Sequence, residues 1–165
     1  MRSIVVAAMA LALAACSVGD TESVPATSFT ADLNSQKEVP PVTAPAAALT
    51  ATGTATCAIA VAGTSFTCTV TYAGLSGAPT ASHIHSGNAN ANGTVRVNLC
   101  SNVVITGVPA CPTTTSGTIT SGAQPVSGVT FDALLASMRT YGAYVNVHTA
   151  ANTGGEIRGQ VFGVY

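Results

Sequence analysis

The sequence predicts an all-β domain, an antiparallel β-sandwich or barrel with one short crossover helix. From Thr50 onward the chain is rich in Thr, Val and alternating small residues, a composition that favours β-strands. Gly and Pro recur about every ten residues, as expected for turns between short strands. Helical spacing occurs in one stretch, from Phe131 to Met138.

The alternation of apolar and polar residues predicts strands near residues 29–33, 48–60, 65–73, 80–85, 94–99, 116–120, 143–148 and 156–164. The prolines of residues 39–42 lack an N–H group, which places that segment at an edge or in a loop. The helix has apolar residues at i, i+3, i+4 and i+7, namely Phe131, Leu134, Leu135 and Met138. Thr130 is the predicted N-cap, and Gly142 follows the helix end.

The N-terminal segment has the pattern of an export signal. Arg2 is followed by an apolar run from Ile4 to Ala15, which predicts a signal peptide over residues 1–15. The run is too short to span a bilayer. It ends in Leu13-Ala14-Ala15-Cys16, which resembles the bacterial lipobox, whose cysteine is lipidated after cleavage; the alternative is an ordinary signal peptide.

We therefore expect a lipidated N-terminus and flexible tether over residues 16–27 and a folded domain over residues 28–165. The predicted location is a membrane-anchored lipoprotein, periplasmic or on the cell surface, held at the outer membrane if the host has one. The lipid is the predicted contact with the membrane.

Four cysteines remain after Cys16, and an even number in an exported chain predicts two disulfides. Three pairings are possible, and the local one, in which each pair encloses ten residues, is favoured: Cys57 with Cys68 and Cys100 with Cys111. In a hairpin with Ala62-Gly63 at its turn, this register also sets apolar residues opposite each other. The pairs are Ile59 with Phe66, Ala55 with Val70 and Gly53 with Tyr72.

Charged residues make up only 7% of the chain and form no basic cluster, which argues against nucleic-acid binding. The chain also lacks a Gly-x-Ser-x-Gly elbow, a His-Glu-x-x-His helix and a phosphate-binding glycine loop. We therefore expect no enzyme activity and assign no catalytic residue.

The three histidines of the chain all fall in predicted strands. His83 and His85 are two residues apart and so point to one side of their strand. His148 lies on the side of its strand that carries Asn146, opposite the valines. Because the aliphatic side is the natural core side, we predict that all three imidazoles lie on the outer face of the sheet.

Three neutral imidazoles are a suitable ligand set for copper or zinc. Three residues are predicted to support the ligands. Asn146 lies on the strand of His148, and Glu156 and Arg158 lie on the last predicted strand, where they alternate with residues that face the core. The competing interpretation is that the histidines make structural hydrogen bonds to loop backbone or pair with Glu156. Arg158 on the same face would oppose a bare cation.

Three segments resemble the conserved blocks of the CHRD (chordin) domain family, over roughly residues 28–163. They are residues 36–42 (QKEVPPV), residues 81–87 (ASHIHSG) followed by 93–97 (GTVRV), and residues 144–149 (YVNVHT) leading into 154–160 (GGEIRGQ). The resemblance implies an immunoglobulin-like β-barrel similar to that of copper/zinc superoxide dismutase, and no established activity. His83, His85, His148 and Arg158 are similar in arrangement to that enzyme, but the histidines are too few for its bimetallic site.

The sequence thus predicts a lipid-anchored cell-envelope protein with a CHRD domain, acting as a non-catalytic binding or structural module. The expected partner is an envelope protein or a polysaccharide. The alternative is a mononuclear copper or zinc protein using a three-histidine site.

Overall fold

The computed structural model describes residues 25–60, 63–88 and 90–165, so the predicted signal peptide, Cys16 and most of the tether lie outside the described residues. The described part contains nine strands and one α-helix. The strands are β1 (Ser28–Asn34), β2 (Thr52–Ile59), β3 (Ser65–Ala73), β4 (Pro79–Ser86), β5 (Val95–Ser101), β6 (Gly117–Pro125), β7 (Ala143–Thr149), β8 (Ile157–Gln160) and β9 (Phe162–Val164), and the helix is α1 (Phe131–Arg139).

The strands form one antiparallel sheet in the order β5-β4-β7-β8-β1-β2-β3-β6, with β9 paired to β1. The sheet curls until its two ends approach each other: after β6, the Ser127 N–H donates to the Arg96 carbonyl of β5 across 2.8 Å. The result is a nearly closed antiparallel barrel or sandwich with one helix, which confirms the predicted fold class.

The core fills the inside of this curled sheet. Its aromatic centre includes Phe66, whose ring lies 6.4 Å from that of Phe29 and 4.8 Å from that of Phe131. Phe131 begins α1, which buries its apolar side, as its spacing predicted. The Thr130 side chain accepts a hydrogen bond from the Ala133 N–H and so caps the helix, also as predicted.

Some strand boundaries differ from the prediction. The strand expected from residue 48 begins at Thr52, because Ala46–Thr50 forms a 3-10 turn. The strand expected over residues 156–164 is two strands, because the chain changes partner: β8 pairs mainly with β7, whereas β9 pairs with β1. The change occurs at Val161, which is buried.

Both predicted disulfides are present, and the predicted hairpin register is confirmed. Cys57 is bonded to Cys68 and Cys100 to Cys111. The first pair lies directly opposite in the β2–β3 ladder, which also contains all three predicted apolar pairs. Of the predicted turn, Ala62 lies outside the described residues. Gly63 has φ +73°, a left-handed conformation that favours glycine.

Candidate metal centre

The three histidines come together because β4 lies beside β7, a neighbour relation that the sequence could not establish. In this ladder His83 is opposite Asn146 and His85 is opposite Tyr144. His83 Nδ1 lies 3.1 Å from His148 Nε2. One ring nitrogen from each histidine lies within 4.8 Å of those of the other two.

The protonation of His85 follows from its contacts. Its Nδ1 lies 2.9 Å from the Gly93 carbonyl oxygen, which can only accept, so Nδ1 carries the proton. Burial lowers the pKa of His85 and thereby favours the neutral ring, whose Nε2 then has a free lone pair. That Nε2 is buried and makes no hydrogen bond among the described residues, although the neighbouring Asn146 side chain acts on the pKa of the ring against the effect of burial.

His148 is held in the same way. Its Nδ1 lies 3.0 Å from the Thr153 carbonyl oxygen, so its Nε2 also presents a lone pair. The Asn146 side-chain amide lies 3.0 Å from that Nε2, and because Nε2 and Oδ1 both accept, the two groups bond only when the amide turns its Nδ2 toward the ring. Burial lowers the pKa of His148 as well, and the nearby His85 and Arg158 lower it further.

His83 is the least constrained of the three. Within the part of the chain that the structure describes, its one hydrogen bond is to His148, and no backbone carbonyl orients its ring. Burial, together with the neighbouring His148 and His85, lowers its pKa to about 3, so this ring is neutral at ordinary pH. Ligand atoms that share a metal at ~2.0–2.1 Å must lie within about 4 Å of each other. The widest of the three separations, up to 4.8 Å, must therefore shorten by about 1 Å for all three rings to share one metal ion.

The face that carries the histidines is not the open outer face that the alternation predicted. The alternation places aliphatic side chains on the core side of these strands, and Ile84, Val145, Val147, Ile157 and Val161 are at most 1% exposed. Tyr144, Asn146 and Arg158 on the opposite side are at most 1% exposed too. The reason is that the loop before β5 and the segment after β1 cover this side. The Tyr144 hydroxyl accepts from the Gly93 N–H at 3.0 Å.

Arg158 contacts both the loop before β5 and the segment after β1. Its Nη2 lies 2.9 Å from Glu38 Oε2 in a fully buried ion pair and also donates to Asn92 Oδ1, while Nη1 donates to the Ala91 carbonyl. Its guanidinium stacks 4.2 Å above the Tyr144 ring, which in turn stacks on His85. The Glu38 carboxylate therefore offsets part of the positive charge that would oppose a bound cation.

Glu38 was missed as a site residue, although it lies in the first of the three resembling segments. Burial raises its pKa to about 7, and the adjacent Arg158 guanidinium offsets only part of this effect. Gly155, with φ +130°, permits the carboxylate to approach, because a Cβ at that position would overlap it. Alternation along a strand carries no information about a loop that folds over it, so no local signal linked Glu38 to Arg158.

Glu156 makes its hydrogen bonds to two turns and not to the histidine rings. Its carboxylate accepts hydrogen bonds from the backbone and hydroxyl of Ser76, from the Thr149 hydroxyl and from Asn152 Nδ2, at 2.5–3.1 Å. None of its hydrogen bonds involves a histidine. The residue anchors the turn after β7 to the turn before β4 and so supports the loop whose Thr153 carbonyl orients His148.

These observations define a class: a disulfide-bonded antiparallel β-barrel domain with a covered polar layer beside three neutral histidines. The chain belongs to the CHRD domain family, whose sequence profile matches residues 29–161. This is a family of binding-type domains, so membership indicates a binding or structural module.

No curated protein and no solved structure matches the chain significantly, and the likeness to superoxide dismutase stays a prediction. Two disulfides fit an exported protein. Within residues 25–60, 63–88 and 90–165, no helix is long and apolar enough to cross a membrane.

Proposed function

We propose that the protein is an exported, lipid-anchored, non-catalytic CHRD module that holds one zinc or copper ion through His83, His85 and His148. The observation that carries the proposal is the buried, unpartnered Nε2 of His85 beside ring nitrogens of the other two histidines. A buried polar atom without a partner costs about 1–3 kcal/mol, and a metal ion would remove that cost.

The hydrogen bonds around the rings support this proposal. Histidines that ligate a metal commonly donate their other N–H to a backbone carbonyl, which fixes the tautomer and the ring orientation. His85 and His148 both do so, to Gly93 and Thr153. All three pKa values are lowered, which keeps the rings in the unprotonated form that a metal requires. Zinc or copper would supply Lewis acidity there.

The absence of a free acid or base near the cluster supports a binding role. Glu38 is paired with Arg158, and Glu156 is saturated by its four donors. General acid–base catalysis needs a group that can reach the substrate. Apart from the three histidines, which would ligate the metal, the covered layer offers none among the described residues.

Thermal unfolding with added metal tests the site. The Cys16→Ser chain is used, because a free thiol would bind the same metals. We expect Zn²⁺ or Cu²⁺ to raise its melting temperature, since a ligand at 100 times its Kd stabilises the folded state by about 2.7 kcal/mol. His83→Ala should abolish most of the increase. No increase with either metal, or an equal increase in both proteins, would contradict the site.

Lys37→Ala is a suitable control, because Lys37 is exposed and its ammonium group bonds only to the Asp32 carbonyl oxygen. It should show the full metal-induced increase. A reduced increase in this variant would mean that the measurement responds to general destabilisation and not to the histidines.

The lipid anchor is tested separately by cell fractionation. Cys16→Ser should move the protein from the membrane fraction to the soluble fraction, because a diacylated cysteine provides the anchor. Unchanged fractionation would show that the protein is held by other means. This result does not bear on the metal site.

A further inference from the structure

We propose that the protein binds an uncharged polysaccharide on the outward face of β9, β1, β2, β3 and β6, which we call the threonine face. This deepens the proposed binding module by naming its partner; it rests on the exported location but not on the metal site. The face consists of exposed residues, namely Thr30, Thr54, Thr56, Thr67, Thr69, Thr71, Thr118, Thr120, Phe162 and Val164.

The threonines are aligned by the strand register. Thr30 is opposite Thr56, Thr56 is opposite Thr69, and Thr69 is opposite Thr120, so one row of hydroxyls crosses four strands. Neighbouring strands lie ~4.8 Å apart, which gives the row a regular spacing. A second row, two residues along each strand, consists of Thr54, Thr71 and Thr118.

A groove lies over the first row. Its volume is about 460 Å³, and its lining includes all four threonines of that row together with Val164. Ligand sites of proteins usually have volumes of roughly 300–1,000 Å³. The first row therefore lines a shallow, open groove.

An aromatic pair closes one end of the row. Phe162 is opposite Thr30 in the ladder, and the Tyr141 ring lies 5.3 Å from the Phe162 ring. The two side chains are 46% and 59% exposed and together form an exposed apolar patch. An aromatic ring is an apolar plate on which the C–H face of a sugar ring can pack.

The near absence of charged residues on the threonine face indicates an uncharged ligand. On the outward positions of these five strands, which the structure describes in full, Asp32 is the only charged residue. Anionic lipids and nucleic acids need Lys or Arg. A threonine hydroxyl both donates and accepts, as a sugar hydroxyl does. Strand propensity accounts for threonine in the strands, but not for the exposed Phe162 and Tyr141 rings at the end of the first row.

Sedimentation with insoluble neutral polysaccharides tests the proposal, using the Cys16→Ser chain with cellulose, chitin, β-1,3-glucan and starch. We expect retention on at least one of them. The double variant Thr56→Lys/Thr69→Lys, which fills the groove, and Phe162→Ser should each weaken binding at least ~10-fold, or about 1.4 kcal/mol. Thr69→Val keeps the shape, lacks the hydroxyl, and should weaken binding without lowering the melting temperature.

Matched controls are Thr106→Lys and Leu49→Ser, which change exposed residues outside the threonine face and should bind like the unmodified chain. His83→Ala should also bind normally, which separates a failure of this proposal from a failure of the metal site.

Three results would overturn the proposal. The first is no retention on any of the four polysaccharides. The second is binding to phosphatidylglycerol vesicles that is lost in Phe162→Ser but kept in the double lysine variant. That result would make the aromatic pair a membrane contact. The third is a dimer in sedimentation velocity that the lysine variant dissociates, which would make the face an interface between copies.

Discussion

The two ends of the sheet treat their polar side in opposite ways. On β4, β7 and β8 the polar side carries histidines, Asn146 and Arg158, and loops cover it so that Asn146 and Arg158 are buried and two of the histidines are only partly exposed. On β1, β2, β3 and β6 the polar side is uncovered and consists mainly of threonine. On the histidine side, different polar groups hydrogen-bond to one another beneath covering loops. On the threonine side, one uncharged group is repeated across a surface that is exposed to solvent.

The largest effect should come from the ion pair that holds the cover of the histidine side. Arg158→Met removes the ion pair with Glu38 and two hydrogen bonds to the loop before β5, and because the Glu38 carboxyl takes up a proton once its partner is gone, we expect the lower end of the range for a broken buried pair, about 3 kcal/mol of unfolding free energy. Arg96→Met, in which the lost Nε hydrogen bond is to a partly buried serine, should cost only about 1 kcal/mol. Urea unfolding of both variants measures the difference; equal losses would mean that the cover does not depend on the pair.

The next effect concerns the threonine side, whose β2–β3 hairpin is held by a disulfide. Replacing Cys57 and Cys68 by Ala should lower the unfolding free energy by roughly 2–3 kcal/mol, because the bond closes a short loop in the unfolded chain. Denaturant unfolding measures the loss. The second disulfide, Cys100–Cys111, closes a loop of the same length, so its removal should cost a similar amount. A loss below ~1 kcal/mol in either case would contradict this reasoning.

The pH dependence of the metal-free protein should come from the histidine side. The lowered histidine pKa values mean that the folded chain binds fewer protons than the unfolded chain between pH ~6.5 and about 3, so stability falls as the pH falls through that window. Glu38, with its pKa raised from 4.5 to about 7, acts oppositely: its contribution is present below pH 4.5 and is lost as the pH rises through 7.

Because three histidines oppose one carboxyl group, we expect the melting temperature in chelator to fall by at least ~5 °C from pH 7 to pH 5. Glu38→Gln removes the opposing contribution and should steepen the fall. Calorimetry at several pH values measures both proteins. A melting temperature that is constant or rises as the pH falls would contradict the neutral, buried state of the rings.

The smallest effect should be on the threonine face. Thr69→Lys changes an exposed side chain in the middle of the first row, and exposed substitutions usually alter stability by no more than ~0.5 kcal/mol. Urea unfolding measures it. A loss above ~2 kcal/mol would show that the row contributes to folding, which would weaken the case for a binding surface.

The sequence predicted correctly those features that depend on residues close together in the chain. The alternation that buries Val145 and Val147, the helix from Phe131 and the register that opposes Cys57 to Cys68 all depend on near neighbours in the chain. The adjacency of β4 and β7 depends on the order of strands in the sheet. The Glu38–Arg158 pair depends on a segment 120 residues away. Neither could be predicted from periodicity, and for that reason the histidine side was expected to be open.

The central claim is that His83, His85 and His148 hold one metal ion, and paramagnetic resonance of the Cu²⁺-loaded Cys16→Ser chain tests it most directly. The claim predicts one copper per chain after dialysis, with a spectrum showing coupling to three histidine nitrogens that changes in His85→Asn. Loss of the copper on dialysis, or an identical spectrum in His85→Asn, would contradict it.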